Sequence, residues 1–365
     1  MHDLLGDLLR WWRTGATTGL AIVTATWSSA PRQAGAAMLV GPDGSATGSV
    51  SGGCVEGAVY DLCLKVAATG EARTVRYGVS DDDAFEVGLI CGGTIELIVV
   101  PVSQSTMPDL PHLVAAVDAG RPVALLTRLD SPARHLVLTP DDRHGSLGTD
   151  RVDDAAADDG RGLLAAGHTG QLHYGPHGER RGSGLDVLVN SFAPAARMIV
   201  FGGTDHAAAV ARLGSFLGYR VTVCDARPVF ATARRFPDAD EVIVDWPHRY
   251  LAAEAAAGRL DARTVVCVLT HDPKFDIPVL QVALELPLAY VGAMGSRRTH
   301  DDRLKRLRET GLGDAALDRL ASPIGLNLGA RTPEETAVSI AAEIVALRWG
   351  GDGTRLASAT GRIHG

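Results

Sequence analysis

The stretch that decides the fold is "RMIVFGGTDHAAAVARLGSFLGYRVTVCD", residues 197–225. A β-branched apolar run ends at Gly202, a helical pattern follows the glycines, and a second apolar run ends at Asp225. This order is that of a βαβ unit, whose two strands lie parallel in one sheet. The alternation continues through "EVIVD", "RTVVCVLT", "IPVLQVALE" and "LAYVG". Residues 195–365 are therefore predicted to form an α/β domain, a doubly wound parallel sheet covered by helices.

The chain before this domain has a different character. Residues 1–101 combine an amphipathic first helix with strands such as "GLAIVTATW" and a helix that ends at Gly70, which predicts a compact α+β N-terminal domain. Residues 102–194 form a middle region in which "DDRHGSLGTDRVDDAAADDG" is interpreted as an exposed acidic loop. No internal repeat covering whole domains is evident.

Composition limits the classes of partner. The formal net charge of -8 gives no overall positive field, which argues against nucleic acid as a partner. No run approaches the roughly 18 apolar residues of a membrane span. The five cysteines are odd in number and lack a repeated Cys-x-x-Cys spacing, a pattern typical of reduced thiols. We expect a cytoplasmic protein that does not associate with membranes.

Polar residues follow several strands of the predicted sheet. In open parallel sheets, ligands bind beyond the carboxyl ends of the strands, so these residues should line one crevice. The candidates are Gly202, Gly203, Asp225, Arg227, His271, Asp272, Gly295, Ser296, Arg297 and Arg298.

The first strand–turn–helix is in the context of a dinucleotide fingerprint, which indicates a Rossmann-like domain. Asp225 is placed to accept hydrogen bonds from ribose hydroxyls. However, Thr204 stands where a glycine would let the backbone approach a pyrophosphate, and the Asp205 carboxylate would compete with that anion. NAD(P) binding stays open, and the alternative is that the glycines only make the turn while Asp205 caps the helix.

Two further crevice segments have alternative readings. In "GAMGSRRTHDDR", glycine N–H groups with Arg297 and Arg298 could cradle an anion, or the arginines could pair with Asp301 and Asp302. His271 and Asp272 could perform acid–base chemistry or bind a metal, or they could form a turn and helix cap.

The five cysteines differ in their sequence surroundings, which predict different degrees of burial. Cys63, Cys224 and Cys267 are predicted to be buried, whereas Cys54 follows two glycines in "SGGCVE", residues 51–56, at a helix start that favours a thiolate. Cys91 precedes two glycines in "ICGGTIE", residues 90–96. Thiolates bind soft metals and accept sulfur, so both stretches suit metal or sulfur handling. Two tight turns that merely contain cysteine are the alternative.

Five ordered motifs resemble the xanthine dehydrogenase accessory protein family, XdhC/CoxI. They are "GGCVE", "ICGGTIEL", "THDPKFDIPVL", "YVGAMGSRRT" and "PIGLNLGARTPEETAVSIAAEIVA". The resemblance covers the N-terminal domain and nearly all of the chain from residue 197. The family usually has Gly-x-Gly-His-Val-Ala where this chain has "GGTDHA", so Thr204 and Asp205 depart from its pattern.

The resemblance implies a maturation factor that binds molybdenum cofactor (molybdopterin), protects it while a cysteine desulfurase supplies its sulfido ligand, and assists insertion into a molybdenum hydroxylase apoenzyme. Carried onto this sequence, Cys54 and Cys91 would contact the metal or its sulfur. The glycines beside them would admit the pterin, and Arg297 and Arg298 would face a phosphate. Those glycines are Gly52, Gly53, Gly92 and Gly93.

The sequence is also compatible with two alternative functions. The first is an NAD(P)-dependent oxidoreductase that uses Asp225, His271 and the "GSRR" segment. The second is a scaffold that binds a target enzyme through the acidic middle region. A homodimer is a further candidate assembly, since the sequence does not fix the number of subunits.

Overall fold

The chain forms two compact units, the first ending at Pro194 and the second beginning at Ala195. The computed structural model describes residues 1–27, 32–78 and 93–358. Within those ranges, none of the helices has the length and apolar character that crossing a bilayer requires. The division between the units falls at the proline that closes the run "SFAP".

Two five-stranded antiparallel sheets make up most of the first unit. The first sheet has the order β3-β2-β1-β5-β4 and the second has β8-β7-β6-β10-β9. The strands of the first sheet are β1 (Thr18–Trp27), β2 (Ala37–Val40), β3 (Ala46–Gly48), β4 (Arg73–Tyr77) and β5 (Thr94–Val102). Those of the second are β6 (Val123–Arg128), β7 (His135–Leu138), β8 (Arg143–Gly145), β9 (Gly170–Tyr174) and β10 (Leu185–Phe192).

The described ranges of this unit also contain four α-helices, and their order along the chain repeats. They are α1 (Leu5–Arg13), which follows a short 3-10 turn at His2–Leu4, α2 (Glu56–Thr69), α3 (Leu110–Asp118) and α4 (Asp150–Ala166). Each half of the unit consists of one sheet and two helices. In the described part of the chain, each half has the order helix, three strands, helix, two strands, and its five strands have the same order in space. The expectation of no internal repeat was therefore wrong. The repetition lies in the topology, which needs only apolar strands of suitable spacing and not matching residues.

The helices pack on the faces of the two sheets and form the hydrophobic core of the unit with them. Side chains of α1 and α3, such as Leu8 and Leu113, share one buried cluster with Ile22 of the first sheet and Leu125 of the second. Helix α2 packs on the opposite face of the first sheet, where Val59 is fully buried. Helix α4 packs in the same way on the second sheet.

The acidic segment of the middle region is not an exposed loop, as the sequence analysis expected. It contains β8 and most of α4, and Thr149 caps that helix by accepting a hydrogen bond from the Val152 N–H. Small and apolar residues at helical spacing form the buried face of α4 beneath its charges. A Cβ at Gly160 would lie 3.0 Å from Leu138, so the helix approaches the sheet closely there. The buried apolar or small residues are Val152, Ala156, Ala157, Gly160 and Leu164.

The second unit has a six-stranded, fully parallel sheet of order β13-β12-β11-β14-β15-β16. Its strands are β11 (Arg197–Phe201), β12 (Arg220–Cys224), β13 (Glu241–Ile243), β14 (Val265–Val268), β15 (Tyr290–Ala293) and β16 (Leu320–Ala321). Its helices are α5 (Asp205–Phe216), α6 (Pro247–Ala256), α7 (Pro273–Glu285), α8 (Arg297–Glu309), α9 (Asp314–Leu317) and α10 (Pro333–Trp349), followed by a 3-10 turn at Leu356–Ser358. Numbered within the unit, this is the 3-2-1-4-5-6 order of the doubly wound Rossmann fold, which confirms the predicted fold class.

Strand order reverses between β11 and β14, and the crevice for a ligand opens beyond their carboxyl ends. Helices α5 and α10 cover one face of the sheet, and α6, α7 and α8 cover the other. The sequence "TPEE", residues 332–335, predicts a capping box at the start of the last helix, and it is present: the Thr332 side chain accepts from the Glu335 N–H and the Glu335 side chain accepts from the Thr332 N–H.

Candidate functional site

The "SGGCVE" turn folds around its own carboxylate. The two oxygens of Glu56 accept hydrogen bonds from four consecutive backbone N–H groups and from the hydroxyls of Ser49 and Ser51. The N–H donors are Val50 at 3.2 Å, Ser51 at 2.9 Å, Gly52 at 3.0 Å and Gly53 at 2.8 Å. The turn is therefore set before any ligand arrives, and these N–H groups are not available to bind an external anion.

The charge on Glu56 is stabilised by this arrangement. Burial opposes ionisation, but the hydroxyl bonds from Ser51 and Ser49 and the backbone bonds outweigh it and lower the pKa to about 2. Gly52 and Gly53 have φ of +79° and +124°, in the left-handed region that side chains avoid. A Cβ on either glycine would meet no atom of the described residues within 4 Å, so this side of the turn is open toward them.

Cys54 is a half-buried free thiol on this turn. Its N–H donates to the Ser51 hydroxyl at 3.0 Å, and it directly precedes Val55, the N-cap of α2. The three other described cysteines are fully buried, as predicted, and burial raises the pKa of each to about 12. They are Cys63, Cys224 and Cys267. Cys54 is thus the described thiol that reacting groups can reach.

The described part of the second thiol–glycine stretch begins at Gly93 and leads into β5. Cys91 and Gly92 lie outside the described residues, whereas Gly93 is buried and directly precedes β5. The pairing of Thr94 with Trp27 puts the start of β5 at the end of β1. The Gly48 end of β3 lies toward that same end of the sheet, because β2 runs antiparallel to both β1 and β3.

Neighbouring residues of the second unit pack closely around the glycine turn formed by Gly202 and Gly203. A Cβ at Gly202, where φ is +127°, would lie 3.1 Å from the Leu269 carbonyl group, and one at Gly203 would lie 2.4 Å from the Phe230 Cβ. Both positions therefore require glycine for packing as well as for the turn. The helix cap is Thr204, whose side chain accepts from the Ala207 N–H, and not Asp205.

Asp225 is buried and fully engaged within the protein. Its carboxylate accepts hydrogen bonds from the Gly203 N–H at 2.6 Å and from the Arg227 N–H, Nε and Nη2 at 2.9, 2.9 and 2.8 Å. Burial opposes its charge, but the Arg227 bonds outweigh burial and lower the pKa of Asp225. The oxygens that sequence analysis assigned to ribose hydroxyls already have donors.

The His271–Asp272 pair behaves as a turn and helix cap. His271 is exposed, and Asp272 caps α7 by accepting from the Lys274 N–H at 3.1 Å while its other oxygen lies 2.8 Å from Lys274 Nζ. The charge of Arg227 also acts on Asp272, so the segments after β12 and β14 converge as the strand order predicts.

The "GSRR" segment has two cations without partners. Ser296 caps α8 by accepting from the Thr299 N–H at 3.1 Å. Arg297 and Arg298 are exposed, and neither forms a hydrogen bond or ion pair with any residue in the described part of the chain. The alternative that they pair with Asp301 and Asp302 is not seen among the described contacts, and Asp302 instead lies 2.8 Å from Arg306.

Sequence analysis missed a buried ion pair beneath this segment. Arg303 of α8 donates to Asp276 of α7 at 3.1 Å, to the Met294 carbonyl at 2.8 Å and to the Ser322 hydroxyl at 2.8 Å. The Thr270 hydroxyl donates to the other Asp276 oxygen. Burial raises the pKa of Asp276, against these hydrogen bonds.

This pair fixes the backbone on which the crevice residues stand, because it ties the segments after β14, β15 and β16 together. The signal in the sequence was a second aspartate within "THDPKFD", four residues after Asp272. An aspartate and an arginine on helices are ordinarily exposed, which is why their spacing alone did not identify them as buried.

Family models match both units. The second unit matches the XdhC Rossmann domain over residues 198–344, and the first matches the XdhC and CoxI family over residues 11–78 and 116–175.

Individual relatives cover most of the chain. A Bacillus subtilis (strain 168) protein, named as one of the probable subunits of xanthine dehydrogenase, is 29% identical over 90% of this chain and 92% of its own. The Escherichia coli (strain K12) molybdenum cofactor insertion chaperone PaoD is 30% identical over 87% of this chain and 80% of its own. A crystal structure of a xanthine dehydrogenase from Bacillus halodurans has a TM-score of 0.67 at 26% identity, covering 98% of this chain and 97% of that one. The chain therefore belongs to the XdhC and CoxI family.

Proposed function

We propose that the chain binds molybdenum cofactor as cargo and assists its insertion into a molybdenum hydroxylase apoenzyme of the xanthine or carbon monoxide dehydrogenase type. Support comes from the Escherichia coli relative, named as a molybdenum cofactor insertion chaperone, and from the Bacillus subtilis relative with its xanthine dehydrogenase name. The observation that carries the proposal is the half-buried thiol of Cys54 beside two glycines whose outer side is open.

In this proposal Cys54 and Cys91 are the residues that contact the molybdenum or its sulfur. Thiolates are the side chains that best suit a soft metal and a transferable sulfur atom. Gly52 and Gly53 would leave room for the pterin, and the proposal assigns the same role to Gly92 and Gly93. The Glu56 network keeps the turn rigid, so that little conformational entropy is lost when the cargo binds.

Protection and sulfuration are the finer part of the proposal. The chain would hold the cofactor while a cysteine desulfurase installs its sulfido ligand, and would then pass it to the apoenzyme in the cytoplasm. A homodimer would present two such sites. The chain itself performs no turnover in this scheme, because its thiols act as ligands and the transferred sulfur comes from the desulfurase.

We assign a separate role to the Rossmann crevice, the binding of a phosphate-bearing ligand. Arg297 and Arg298 stand at the start of α8, where the helix dipole and unpaired guanidinium groups both favour a phosphate. Gly295 and Ser296 supply the approach to that helix end. The buried Arg303–Asp276 pair would hold the segment in place without touching the phosphate.

An NAD(P)-dependent oxidoreductase is the second candidate, favoured by the Rossmann strand order. Against it, Arg227 occupies the Asp225 oxygens that would receive ribose hydroxyls. Calorimetric titration of the protein with NAD and NADP tests it. Binding in the micromolar range that Asp225→Asn abolishes would support this candidate, and no heat at millimolar ligand would remove it.

The main test uses full-length protein purified from cells that make molybdenum cofactor. Molybdenum is measured by mass spectrometry and pterin by fluorescence after oxidation. We expect Cys54→Ala to lose both. Cys63→Ala is the matched control, because it removes a buried thiol from α2, the helix that begins after Cys54. Equal molybdenum and pterin in wild type and Cys54→Ala would contradict the assignment of Cys54.

A further inference from the structure

A second cluster of metal-ligating side chains lies in the first unit, away from the thiol turn in sequence. Asp109 is the N-cap of α3, His112 is in the first turn of that helix, and His144 is in β8. One ligand atom from each of the three residues lies within 4.8 Å of the others. The fold brings them together from elements more than thirty residues apart in sequence.

The two imidazole rings are held in a fixed relation. Their centroids lie 4.0 Å apart with an angle of 26° between the planes, so the rings are stacked. Asp109 Oδ1 is 3.6 Å from His112 Nδ1, and Asp142 Oδ2 is 3.4 Å from His144 Nε2. Each ring therefore faces a carboxylate, and Asp142 can orient His144 in the way that outer carboxylates orient metal-binding histidines.

A cavity of about 340 Å³ adjoins the cluster. Asp109, Gly145, Ser146 and His135 are among the residues that line it. A Cβ at Gly145 would lie 3.1 Å from Asp109 Oδ2, so the glycine leaves space beside that carboxylate. A ligand on this carboxylate would thus have open volume on one side.

His135 gives an independent indication of a ligand. Only 9% of this residue is exposed, and its Nδ1 lies 3.1 Å from the Thr127 hydroxyl. Its Nε2 is buried and has no hydrogen-bond partner within the described ranges. A buried polar atom without a partner is costly, so this nitrogen, on a residue that lines the cavity, indicates a polar group bound there.

We propose that Asp109, His112 and His144 bind a divalent transition-metal ion of the Zn²⁺ type, with the cavity side left for water or a small anionic ligand. Two imidazoles and one carboxylate are a donor set that Zn²⁺ takes when one coordination position stays open. The site uses no thiol, so it is distinct from the molybdenum site proposed for Cys54, and neither proposal depends on the other.

The test is a zinc titration of full-length, tag-free, metal-depleted protein against a chromogenic chelator. We expect about one Zn²⁺ per chain and an affinity at least about tenfold weaker in His144→Ala and in His112→Ala. Zinc should also raise the Tm of wild type but not of the double variant. Cys54→Ser with Cys91→Ser should keep this binding, which separates it from zinc held by thiols.

The matched control is His173→Ala, which removes a histidine exposed on β9 and 2.7 Å from Asp186. It should bind zinc as wild type does. Unchanged stoichiometry and affinity in the His112→Ala/His144→Ala double variant would overturn the proposal. So would an equal loss in His173→Ala, since that result would mean unspecific binding to surface histidines.

Discussion

The two halves of the first unit share one topology but differ at the turn that leads into the outer helix. In both halves a carboxylate in the first turn of the helix receives backbone N–H groups of the preceding turn. Glu56 binds four such groups before α2, whereas the buried Asp153 binds one, from Leu147 at 2.6 Å, before α4. Of the two turns that precede these helices, only the one before α2 contains a thiol, that of Cys54. The carboxylate is common to the two turns, and so is a glycine with positive φ, Gly148 in the second, whereas the cysteine is present in only one of them.

The largest expected effect in this comparison is that of Glu56→Ala. It removes the acceptor for four N–H groups and two hydroxyls, and hydrogen bonds to a charged group are the strong ones, so we expect a loss of about 3 kcal/mol in the free energy of unfolding. Urea denaturation followed by circular dichroism measures it. A loss below that of Asp153→Ala would contradict the ranking of the two turns.

The pH dependence of stability should distinguish Glu56 from its amide. The folded pKa of about 2 lies below the ordinary value of 4.5, so the ionised carboxylate contributes stability that is fully present above pH 4.5 and is lost as pH falls through 2. The advantage of wild type over Glu56→Gln in urea denaturation should therefore shrink between pH 5 and pH 2. A constant difference across this range would mean that the charge is not what stabilises the turn.

Asp153→Ala is the equivalent change in the second half. It leaves the buried Leu147 N–H without its acceptor, which predicts a loss of about 2 kcal/mol. Because this half has no thiol, molybdenum content in the folded protein should stay at the wild-type level. Loss of molybdenum out of proportion to loss of folded protein would extend the cargo site to the second half.

The smallest effects are expected at the two glycines. Gly53→Ala, at φ +124°, should cost about 1 kcal/mol from backbone strain alone, since its Cβ meets no atom within 4 Å. Gly52→Asn should cost less than about 0.5 kcal/mol, because asparagine tolerates the left-handed region. Thermal unfolding with molybdenum analysis separates the roles. If either variant kept its stability and lost molybdenum, the open side of the turn would be identified as a contact surface.

The second unit was the easier half to predict from sequence. Its parallel strands are buried on both faces, so they read as continuous apolar runs, and the capping box at Thr332 marks a helix start by its own chemistry. The apolar spacing of "AVSIAAEIVAL" predicts a buried stripe on the last helix that reaches Leu347, but the Leu347 side chain is exposed. Tertiary packing, which sequence periodicity does not specify, decides how far along a helix its buried face extends.

The first unit was harder because its organisation depends on pairing between distant strands. The repeat follows from which strands become neighbours, and single-sequence patterns do not determine that. The helix within the acidic segment was missed because its buried face includes Ala156, Ala157 and Gly160, whose apolar signal is weak. The candidate site divides similarly. A thiol after two glycines can be recognised locally, whereas the Asp276–Arg303 pair is visible only when α7 and α8 are packed together.

Among the described cysteines, Cys54 is half-buried and the other three are buried, so chemical labelling of thiols can report on the state of the turn that contains Cys54. A thiol-reactive dye at neutral pH reacts with thiolates, so the buried thiols with a pKa of about 12 should stay unlabelled while Cys54 is modified. Labelling can therefore be followed in the native protein without engineering a tag. Any cargo that covers the turn would slow the reaction, which turns a cysteine assay into a direct readout of loading and release.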